Sequence, residues 1–538
     1  MTDAALQPGS KPSAAAQTGP LGADSEIDWV KVFLGFGGMV IGQFMAILDV
    51  QIVASSLSQI QAGIGASSDE ISWIQTIYLL AEVVMIPLTA YLSKLWGTQK
   101  FYTAAVVCFI VASIATGLST SIETMILTRA LQGLAGGAMI PAVFATAMTV
   151  FPPERRVTAN VIVSLIVTLA PTLGPTLGGH LTEALGWRWL FFINVIPGLA
   201  VMFLVGRYAN FDRGDPAFAK GIDWTGLALM TTFLLSMQYV LEEGAGDGWF
   251  TDDTILWLTV LCVLAGVAFI WRQLTYRQPI VSLAPFQDRN FILGSLMNFI
   301  SGLSLYSGTF VLPLFLAQIR GLSPGQVGGV MLVSGLAMFA SGPVAGRLVR
   351  QMDPRLAMFL GFGLVGLGLG QGVHVTRQWG FWEFAGLQAL RGLGTMIAMI
   401  ASSQLSISTL PVTMMKDASG LVNLIRNVGG AVGLALITTI LTHMTAVHLA
   451  DMAAAINSGS SQAQSMMAGL TAMMTEGGSA NPEGAGRKAF GMMMRREALV
   501  LAFGDAFLFL TSGCVVAAIL AVFAAPAKVQ PPQDVGGH

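Results

Sequence analysis

The chain has 538 residues, of which 54% are hydrophobic and only 10% are charged, and its mean hydropathy is +0.70. Soluble proteins carry about a quarter charged residues, so this composition excludes a soluble enzyme, a nucleic-acid-binding protein and a disordered scaffold. With a formal net charge of -2, the chain has no overall positive potential that would attract a polyanionic partner.

The first 28 residues are rich in Ala, Gln, Pro, Ser and Gly. They lack both the basic start and the apolar core of a signal peptide, so they are predicted to form a disordered cytoplasmic tail. Residues 526–538 are predicted to form a second cytoplasmic tail.

Apolar stretches of at least 18 residues recur from Trp29 onward, and each is long enough to cross about 30 Å of hydrocarbon as a helix. Because the stretches are continuously apolar rather than alternating, a β-barrel is disfavoured. The chain is therefore predicted to be an all-α integral membrane protein with fourteen transmembrane helices. The predicted spans are 30–56, 72–94, 100–119, 122–150, 158–182, 190–207, 222–241, 254–272, 292–317, 323–349, 355–373, 379–411, 418–445 and 499–524.

Basic residues predict the orientation, since cytoplasmic loops carry an excess of Lys and Arg. With the N-terminus inside, most of the 27 basic residues fall on the cytoplasmic side, and an even number of spans returns the C-terminus to the same side. The loop 242–253 has five acidic residues and no basic one, which fits the outer face. The long polar loop 446–498 is also predicted outside, with a short amphipathic helix around Met492, Met493 and Met494.

No metal or cofactor is predicted. Cys108, Cys262 and Cys514 lie inside apolar runs without a CxxC pair, so they are interpreted as buried small residues. Copper(I) binding by the methionines of the loop 446–498 is the alternative, and it is disfavoured because neither regular Met spacing nor a Cys accompanies them.

Two halves of the chain look alike. The segment 129–136 (RALQGLAG) is similar to 391–394 (RGLG), and basic, Gly-containing loops at 92–100 and 346–355 join consecutive spans. Internal repeats of this kind are typical of transporters built from two bundles around a central site. The predicted domains are an N-terminal six-helix bundle at 29–207, an inserted two-helix hairpin with linkers at 208–290, and a C-terminal six-helix bundle at 291–525.

Ionisable residues inside a span cost about 2.5 to 3.5 kcal/mol each, so each is a functional candidate. Asp49 is favoured as a proton carrier over a merely structural partner of an arginine. For Glu82 both interpretations stay open, and Arg129 is predicted to pair with a neighbouring acid and to tune it. Arg391 and Arg426 also lie within spans, whereas Glu383 and Asp505 lie near span ends, where solvated anchoring is favoured.

The run 170–179 (APTLGPTLGG) combines closely packing small residues with two prolines that interrupt helical hydrogen bonding. It predicts a bent, tightly packed gate helix that contains Gly174, Pro175, Gly178 and Gly179. His180 follows the run, and a hydrogen-bonded interfacial histidine is favoured there over a proton relay.

Five segments carry motifs in chain order: Asp49 in the first span, 129–136 in the fourth, 174–179 in the fifth, 187–198 at the start of the sixth and 417–433 in the thirteenth. Together they resemble the major facilitator superfamily, specifically its fourteen-helix drug:proton antiporter branch of the EmrB/QacA type. The resemblance implies two six-helix bundles plus two inserted helices, a role for Arg129 in proton coupling, and export rather than uptake through the fifth-span motif.

The sequence departs from this family pattern at three places. Ala90 and Lys94 stand where the loop after the second span normally has Gly and Asp, so the gating contact of that Asp is altered here. Ala170 replaces the first glycine of the fifth-span motif. Val50 and Gln51 follow Asp49 in place of hydroxyl residues, which predicts altered substrate contacts.

The predicted function is proton-coupled export of amphipathic or hydrophobic drugs and toxic small molecules across the bacterial inner membrane. Proton coupling is assigned to Asp49, Arg129 and Glu82, with no catalytic residues. The predicted walls of the substrate cavity are the neighbouring side chains Gln43, Phe44, Gln51, Gln132 and Met139.

The family resemblance implies a periplasmic adaptor protein and an outer-membrane channel as partners. An exporter of one endogenous metabolite or siderophore is the alternative, and a proton-coupled importer is less favoured because it leaves the run 170–179 unexplained. A membrane enzyme is disfavoured because no catalytic cluster is found, and the absence of a GxxxxGK[ST] loop excludes a resident ATPase domain.

Overall fold

The computed structural model describes residues 28–54, 56–217, 222–246, 248–276, 279–457, 461–477 and 481–523. Across these ranges the regular structure is helical, and no strand occurs among them. The two predicted tails, apart from Asp28, lie outside the described residues.

The first half of the chain forms eleven α-helices. They are α1 (Trp29–Ala54), α2 (Leu57–Ile64), α3 (Ser68–Ile71), α4 (Trp73–Trp96), α5 (Thr98–Gly117), α6 (Ile122–Thr149), α7 (Pro153–Leu185), α8 (Trp189–Phe192), α9 (Val195–Tyr208), α10 (Trp224–Glu243) and α11 (Asp253–Thr275).

The second half adds seven more α-helices within the described ranges. They are α12 (Arg289–Gln318), α13 (Pro324–Gln351), α14 (Pro354–Gln371), α15 (Phe381–Ile407), α16 (Met415–Asn457), α17 (Ser461–Glu476) and α18 (Pro482–Ala521).

Among the described residues, thirteen helical segments are long and apolar enough to cross a membrane. Each matches one of the predicted spans, with α8 and α9 together forming one of them. The remaining predicted span, 158–182, lies on α7, which traverses the bundle but is not among the thirteen. The all-α membrane fold is therefore confirmed, whereas the exact number of fourteen spans stays a prediction.

Side chains of the sequence fix where several helices begin. Asp223, Asp252 and Asp288 each accept a backbone N–H of the first turn of the helix that follows, which satisfies donors that a helix leaves free at its start. At α3, Ser67 and Glu70 form a reciprocal capping box, and the hydrogen bonds from Ser67 hold the pKa of the Glu70 carboxyl below its usual range.

The helices of the two halves pair in the same order. In the first half α4 and α5 pack on α6, while α7 and α9 pack on α1. In the second half α13 and α14 pack on α15, while α16 and α18 pack on α12. We call these sets the N bundle (α1, α4–α9) and the C bundle (α12–α16, α18).

We call the end of the molecule with Trp29 and Phe523 the tail face, and the opposite end, with α2, α3 and α17, the loop face. Trp29 stacks on Phe151 at 6.4 Å between ring centroids on the tail face. At the loop face, the hydroxyls of Ser56 and Thr182 lie 3.0 Å apart. Because Phe151 precedes α7 and Thr182 lies in its last turn, α7 runs from the tail face to the loop face.

The two bundles pack against each other mainly near the tail face. One buried cluster there joins Phe144 and Met148 of α6 to Ile407, Ala418 and other residues of the C bundle. Nearer the loop face, the buried clusters each draw on residues of a single bundle. The apolar packing between the two bundles is therefore concentrated at one end of their interface.

Two ion pairs reinforce the tail-face contact. The Lys94 ammonium at the end of α4 lies 2.6 Å from the Asp417 carboxylate at the start of α16. The neighbouring Lys416 pairs with Asp212, which also accepts hydrogen bonds from the backbone N–H and hydroxyl of Thr98. We call these two ion pairs the tail-face latch.

The α10–α11 hairpin packs outside the two bundles, on α4 and α16. Its second helix is the least buried of the candidate spans, with 17% of its most apolar window buried, although its hydropathy is the highest, at 2.3. An apolar helix this exposed is suited to a lipid environment.

Three sequence expectations differ from the structure. The segment 446–498 is not a loop but is mostly helical, because α16 continues to Asn457, α17 follows, and α18 begins at Pro482. Glu242 belongs to the last turn of α10 rather than to an outer loop. Cys108 is exposed on the surface of α5 and Cys262 is partly exposed, so only Cys514 is buried as expected.

Candidate functional site

The first-span acid Asp49 is completely buried and ion-paired. One carboxylate oxygen of Asp49 lies 2.5 Å from Nη1 of Arg129, and the other accepts hydrogen bonds from the amides of Gln132 at 3.0 Å and Asn194 at 2.8 Å. The Ser113 hydroxyl accepts from the same two amides. We call these five residues the Asp49 network; it joins α1, α5 and α6 to the segment before α9.

Arg129 carries a charge inside the bundle, and most of its guanidinium group is in contact with named partners. Its Nε donates to the Ile74 carbonyl at 3.2 Å, and Nη1 also donates to Gln132 at 2.9 Å. The guanidinium carbon lies 4.4 Å from the centroid of the Tyr78 ring, a cation–π distance. Its Nη2 has no hydrogen-bond partner within the described chain. A buried charge with such partners is costly to disturb, because removing one partner leaves the other uncompensated.

Glycines of the fourth-span motif bring α6 against α4. A Cβ at Gly133 would overlap the backbone of Tyr78, and one at Gly137 would lie 2.5 Å from the carbonyl oxygen of Glu82. No side chain stands between the two helices at these points. The close approach lets Arg129 on α6 reach Asp49, and it holds Glu82 on α4 at the level of Gly137.

A cavity lies between the two bundles, beside the Asp49 network. Residues of α1, α4, α6, α10, α12 and α16 line it, and most of them are aliphatic. Its polar side chains are Gln51, Glu82, Gln238, Glu242, Tyr306 and Asn427. Apolar walls with a few polar groups are typical of a small-molecule site.

The predicted cavity residues divide between different places. Gln51 lines the cavity, whereas Gln132 lies in the Asp49 network, because it follows Arg129 by three residues and shares its helix face. Gln43 and Met139 are fully buried away from the described cavity lining, and Phe44 packs against a core cluster of the N bundle. Of the three residues assigned to proton coupling, Asp49 and Arg129 are in contact, and Glu82 faces the cavity.

The predicted gate segment lies on α7, which is helical without interruption from Pro153 to Leu185. Gly174 packs against Gln51 of α1, and Gly178 is buried, whereas a Cβ at Gly179 would meet nothing within 4 Å. The side chain of Pro175 lies outside the described part of the structure. The segment thus borders the cavity helix α1, and its role as a gate stays a prediction.

The other ionisable residues inside the bundles are placed as follows. Arg391 donates to the Ser334 hydroxyl at 3.2 Å, and Arg426 donates to Asn298 at 2.8 Å and to Ser403 at 3.0 Å. Within the described ranges neither arginine is paired with a carboxylate. Two further acids sit elsewhere: Glu383 caps the start of α15, and Asp505 lies 2.7 Å from His448 rather than being simply solvated.

Several residues of the site are not evident from the sequence. Asn194 belongs to the 187–198 motif and Ser113 carries no motif signal, but nothing in the sequence indicates that these two side chains complete the Asp49 network. Gln238 and Glu242 reach the cavity from the inserted hairpin, which the sequence places outside both bundles. Among the described residues, no group of three His, Cys, Asp or Glu side chains is arranged to hold a metal ion.

Comparison with known proteins gives a consistent family. The Major Facilitator Superfamily model matches residues 39–434 and 294–528. The chain is 37% identical over 421 residues to the "Colistin resistance protein EmrB" of Acinetobacter baumannii, covering 78% of this chain and 81% of that protein. It is 28% identical over 433 residues to the "Multidrug export protein EmrB" of Escherichia coli K12, covering 79% and 83%.

A solved structure shares the fold. A bacterial homologue of the human lysosomal transporter Spinster, in an inward-facing and unoccupied conformation, superposes with a TM-score of 0.54 at 14% sequence identity. The superposition covers 93% of this chain and 98% of that one. At this identity the likeness establishes the architecture alone.

Proposed function

Because the chain belongs to the major facilitator superfamily, whose members are transporters, we propose that it exports amphipathic or hydrophobic drugs and other toxic small molecules in exchange for protons. The observation that carries the proposal is the buried Asp49–Arg129 ion pair beside a largely apolar cavity between two bundles. The names of the two relatives, which refer to colistin resistance and multidrug export, support the class of cargo.

Proton coupling is assigned to the Asp49 network. A proton on Asp49 neutralises the carboxylate and removes its attraction for Arg129, so the contact between α1 and α6 weakens. The arginine then keeps only neutral acceptors, namely Gln132 and the Ile74 carbonyl. Since α1 also carries Gln51 on the cavity wall, a change in this contact is transmitted to the substrate site.

Alternating access is assigned to rocking of the two bundles about the cavity. The tail-face latch and the shared apolar cluster close the tail face, whereas the described clusters near the loop face stay within single bundles. We assign the tail face to the cytoplasm from the distribution of basic residues. In this assignment the described conformation is closed toward the cytoplasm, and cargo leaves toward the periplasm.

The protein is assigned to the bacterial inner membrane, as the pump of a tripartite efflux system. The family resemblance supports a periplasmic adaptor protein and an outer-membrane channel as its partners. The helical segment 446–498 and the turn between α10 and α11 are the candidate contact regions on the loop face.

Proteoliposomes with an imposed pH gradient test the proposal. The wild-type protein is compared with Asp49→Asn and Arg129→Ala, with ethidium as a cationic probe and Nile red as a neutral one. Both variants are expected to lose gradient-driven accumulation of both probes, while Asp49→Asn keeps measurable probe binding because the cavity wall is unchanged.

Asp353→Asn is the matched control. It makes the same change at an acid on the tail face that caps α14, and asparagine caps equally well. It is expected to transport at the wild-type rate. Unchanged gradient-driven transport by Asp49→Asn would remove Asp49 from the mechanism.

A further inference from the structure

The central cavity contains two carboxylates that come from different units of the fold. Glu82 lies on α4 of the N bundle, and Glu242 lies on α10, in the inserted hairpin. We propose that Glu242 acts with Glu82 to bind the positive charge of an organic cation, which makes the hairpin part of the substrate site. This inference rests on the proposed export function and names the substrate class that the cavity favours.

At the loop face, two hydrogen bonds connect the hairpin to both bundles: one from the end of α10 and one from the turn that follows it. The Thr76 hydroxyl of the N bundle donates to the Glu243 carboxylate at 3.3 Å. On the other side, Nε1 of Trp249 donates to the Thr439 hydroxyl of the C bundle at 2.9 Å. Glu242 is the neighbour of Glu243 in the same helical turn. These two contacts therefore fix Glu242 at a position where both bundles border the cavity.

The turn after α10 is shaped to make this contact. Trp249 has a φ of 56°, a left-handed conformation that is rare for a bulky residue. Its ring packs against Gly244, where a Cβ would lie 2.8 Å from the ring. The next helix is capped by Asp252, and the hydrogen bond from the Ile255 backbone N–H holds the pKa of the Asp252 carboxyl below its usual range.

The charges of the cavity wall do not balance. Its described lining has the carboxylates of Glu82 and Glu242 but no Lys, Arg or His. Glu82 is only 9% exposed and has no hydrogen bond or ion pair among the described residues. Arg129, the buried cation of the N bundle, is already paired with Asp49. A buried carboxylate without a partner favours a cationic ligand, because the ligand supplies the missing counter-charge.

The remaining wall favours an organic cation over a metal ion. Tyr306 also lines the cavity, with its ring packed beside Gly430 and its hydroxyl donating to Asn427 at 3.3 Å. An aromatic face attracts organic cations, and the aliphatic side chains around it accommodate apolar groups. Metal ions need several oxygen or nitrogen ligands, and no such cluster is found in the described part of the chain.

Two probes of similar shape and opposite charge test the inference. Binding of tetraphenylphosphonium, a cation, and tetraphenylborate, an anion, is measured by calorimetry on the purified full chain in nanodiscs without a gradient. The wild-type protein is expected to prefer the cation. Glu242→Gln is expected to weaken cation binding about tenfold, as loss of one charge-assisted contact worth about 1.4 kcal/mol does, and to leave anion binding unchanged or stronger.

Asp253→Asn is the matched control, since it removes one negative charge from an exposed position of the same hairpin. It is expected to bind both probes like the wild-type protein. Glu82→Gln is expected to weaken cation binding to a similar degree as Glu242→Gln.

Equal cation binding by the wild-type protein and Glu242→Gln would overturn the inference, and so would an equal loss of both probes. A loss of cation binding in Asp253→Asn as large as in Glu242→Gln would also overturn it, because the effect would then come from general charge. Failure of the proposed proton-coupled export leaves these results intact, since no pH gradient enters the binding measurement.

Discussion

Replacing Lys94 with alanine removes one of the two ion pairs of the tail-face latch, and it is expected to favour opening of the tail face. Lys94 and Asp417 are 323 residues apart in sequence and belong to different bundles. Their contact therefore contributes to the stability of the closed tail face and not to that of either bundle alone.

The magnitude follows from the geometry of the pair. The Nζ–oxygen distance is 2.6 Å, and the side chains of Lys94 and Asp417 are 26% and 14% exposed. Hydrogen bonds to charged groups contribute about 1.5 to 3 kcal/mol, and fully exposed ion pairs about 0.2 to 1 kcal/mol. A value of about 1 to 2 kcal/mol fits this partly buried pair, which corresponds to a shift of about 5- to 30-fold in the ratio of open to closed molecules.

Electron–electron double resonance measures this ratio. Spin labels are placed at Lys100 and Gln351, which are exposed on the tail face in different bundles, in a chain whose three cysteines are replaced by alanine. Lys94→Ala is expected to increase the long-distance population by this factor, and exchanging the charges in Lys94→Asp with Asp417→Lys is expected to restore the short distance.

Lys31→Ala is the control, because it removes an exposed ion pair with Asp28 that lies within the N bundle. It is expected to leave the distance distribution unchanged. Identical distributions for the wild-type protein, Lys94→Ala and Asp417→Ala would refute the reasoning, since the ion pair would then contribute nothing to closure.

Two further variants test the contact between α4 and α6 and the ion pair within the α10–α11 hairpin. Gly137→Ala places a methyl group against the backbone of Glu82 and is expected to destabilise the protein by about 1 to 3 kcal/mol. The control is Gly179→Ala, where the methyl group has free space. Equal melting temperatures of the two variants in detergent would contradict the expectation. Arg272→Ala removes three hydrogen-bond contacts to the fully buried carboxylate of Asp223. It is expected to lower the stability of the α10–α11 hairpin by about 2 kcal/mol, which is measured as faster hydrogen exchange of the hairpin amides. Unchanged exchange would show that the ion pair does not hold the hairpin.

The membrane helices and the importance of Asp49 and Arg129 as single residues were predictable because their signals are local and strong, whereas their contact with each other was not predicted. A span needs a long continuous apolar run, and the sequence shows such runs directly. Asp49 and Arg129 stand out because a charge inside a span is costly, and the structure places the two side chains in contact. Neither inference requires knowledge of which helices are neighbours.

The rest of the site depends on neighbours that the sequence does not reveal. Glu242 follows an apolar run and precedes a polar turn, so composition places it in a loop, whereas packing of α10 against α4 and α16 brings it to the cavity. The departure at Lys94 was evident, but its partner Asp417 lies in a distant motif. Pairing across the bundle interface is a property of the tertiary structure alone.

The segment 446–498 shows that apolarity alone does not predict where a membrane helix ends. Apolarity predicts where a helix enters the hydrocarbon, but it does not predict where the helix ends in water. The polar residues of 446–457 continue α16 and those of 482–498 begin α18, because most of them are compatible with helix and no proline interrupts either stretch after Pro482.

The uninterrupted length of α16 has a mechanical consequence. Its 43 residues correspond to about 65 Å at 1.5 Å per residue, roughly twice the thickness of the hydrocarbon layer. About half of α16 therefore exceeds the length that a membrane crossing requires and forms an arm of about 30 Å. A tilt of about 10° displaces the tip of a 30 Å arm by about 5 Å, so a small rotation within the bilayer becomes a large movement in the aqueous compartment above it.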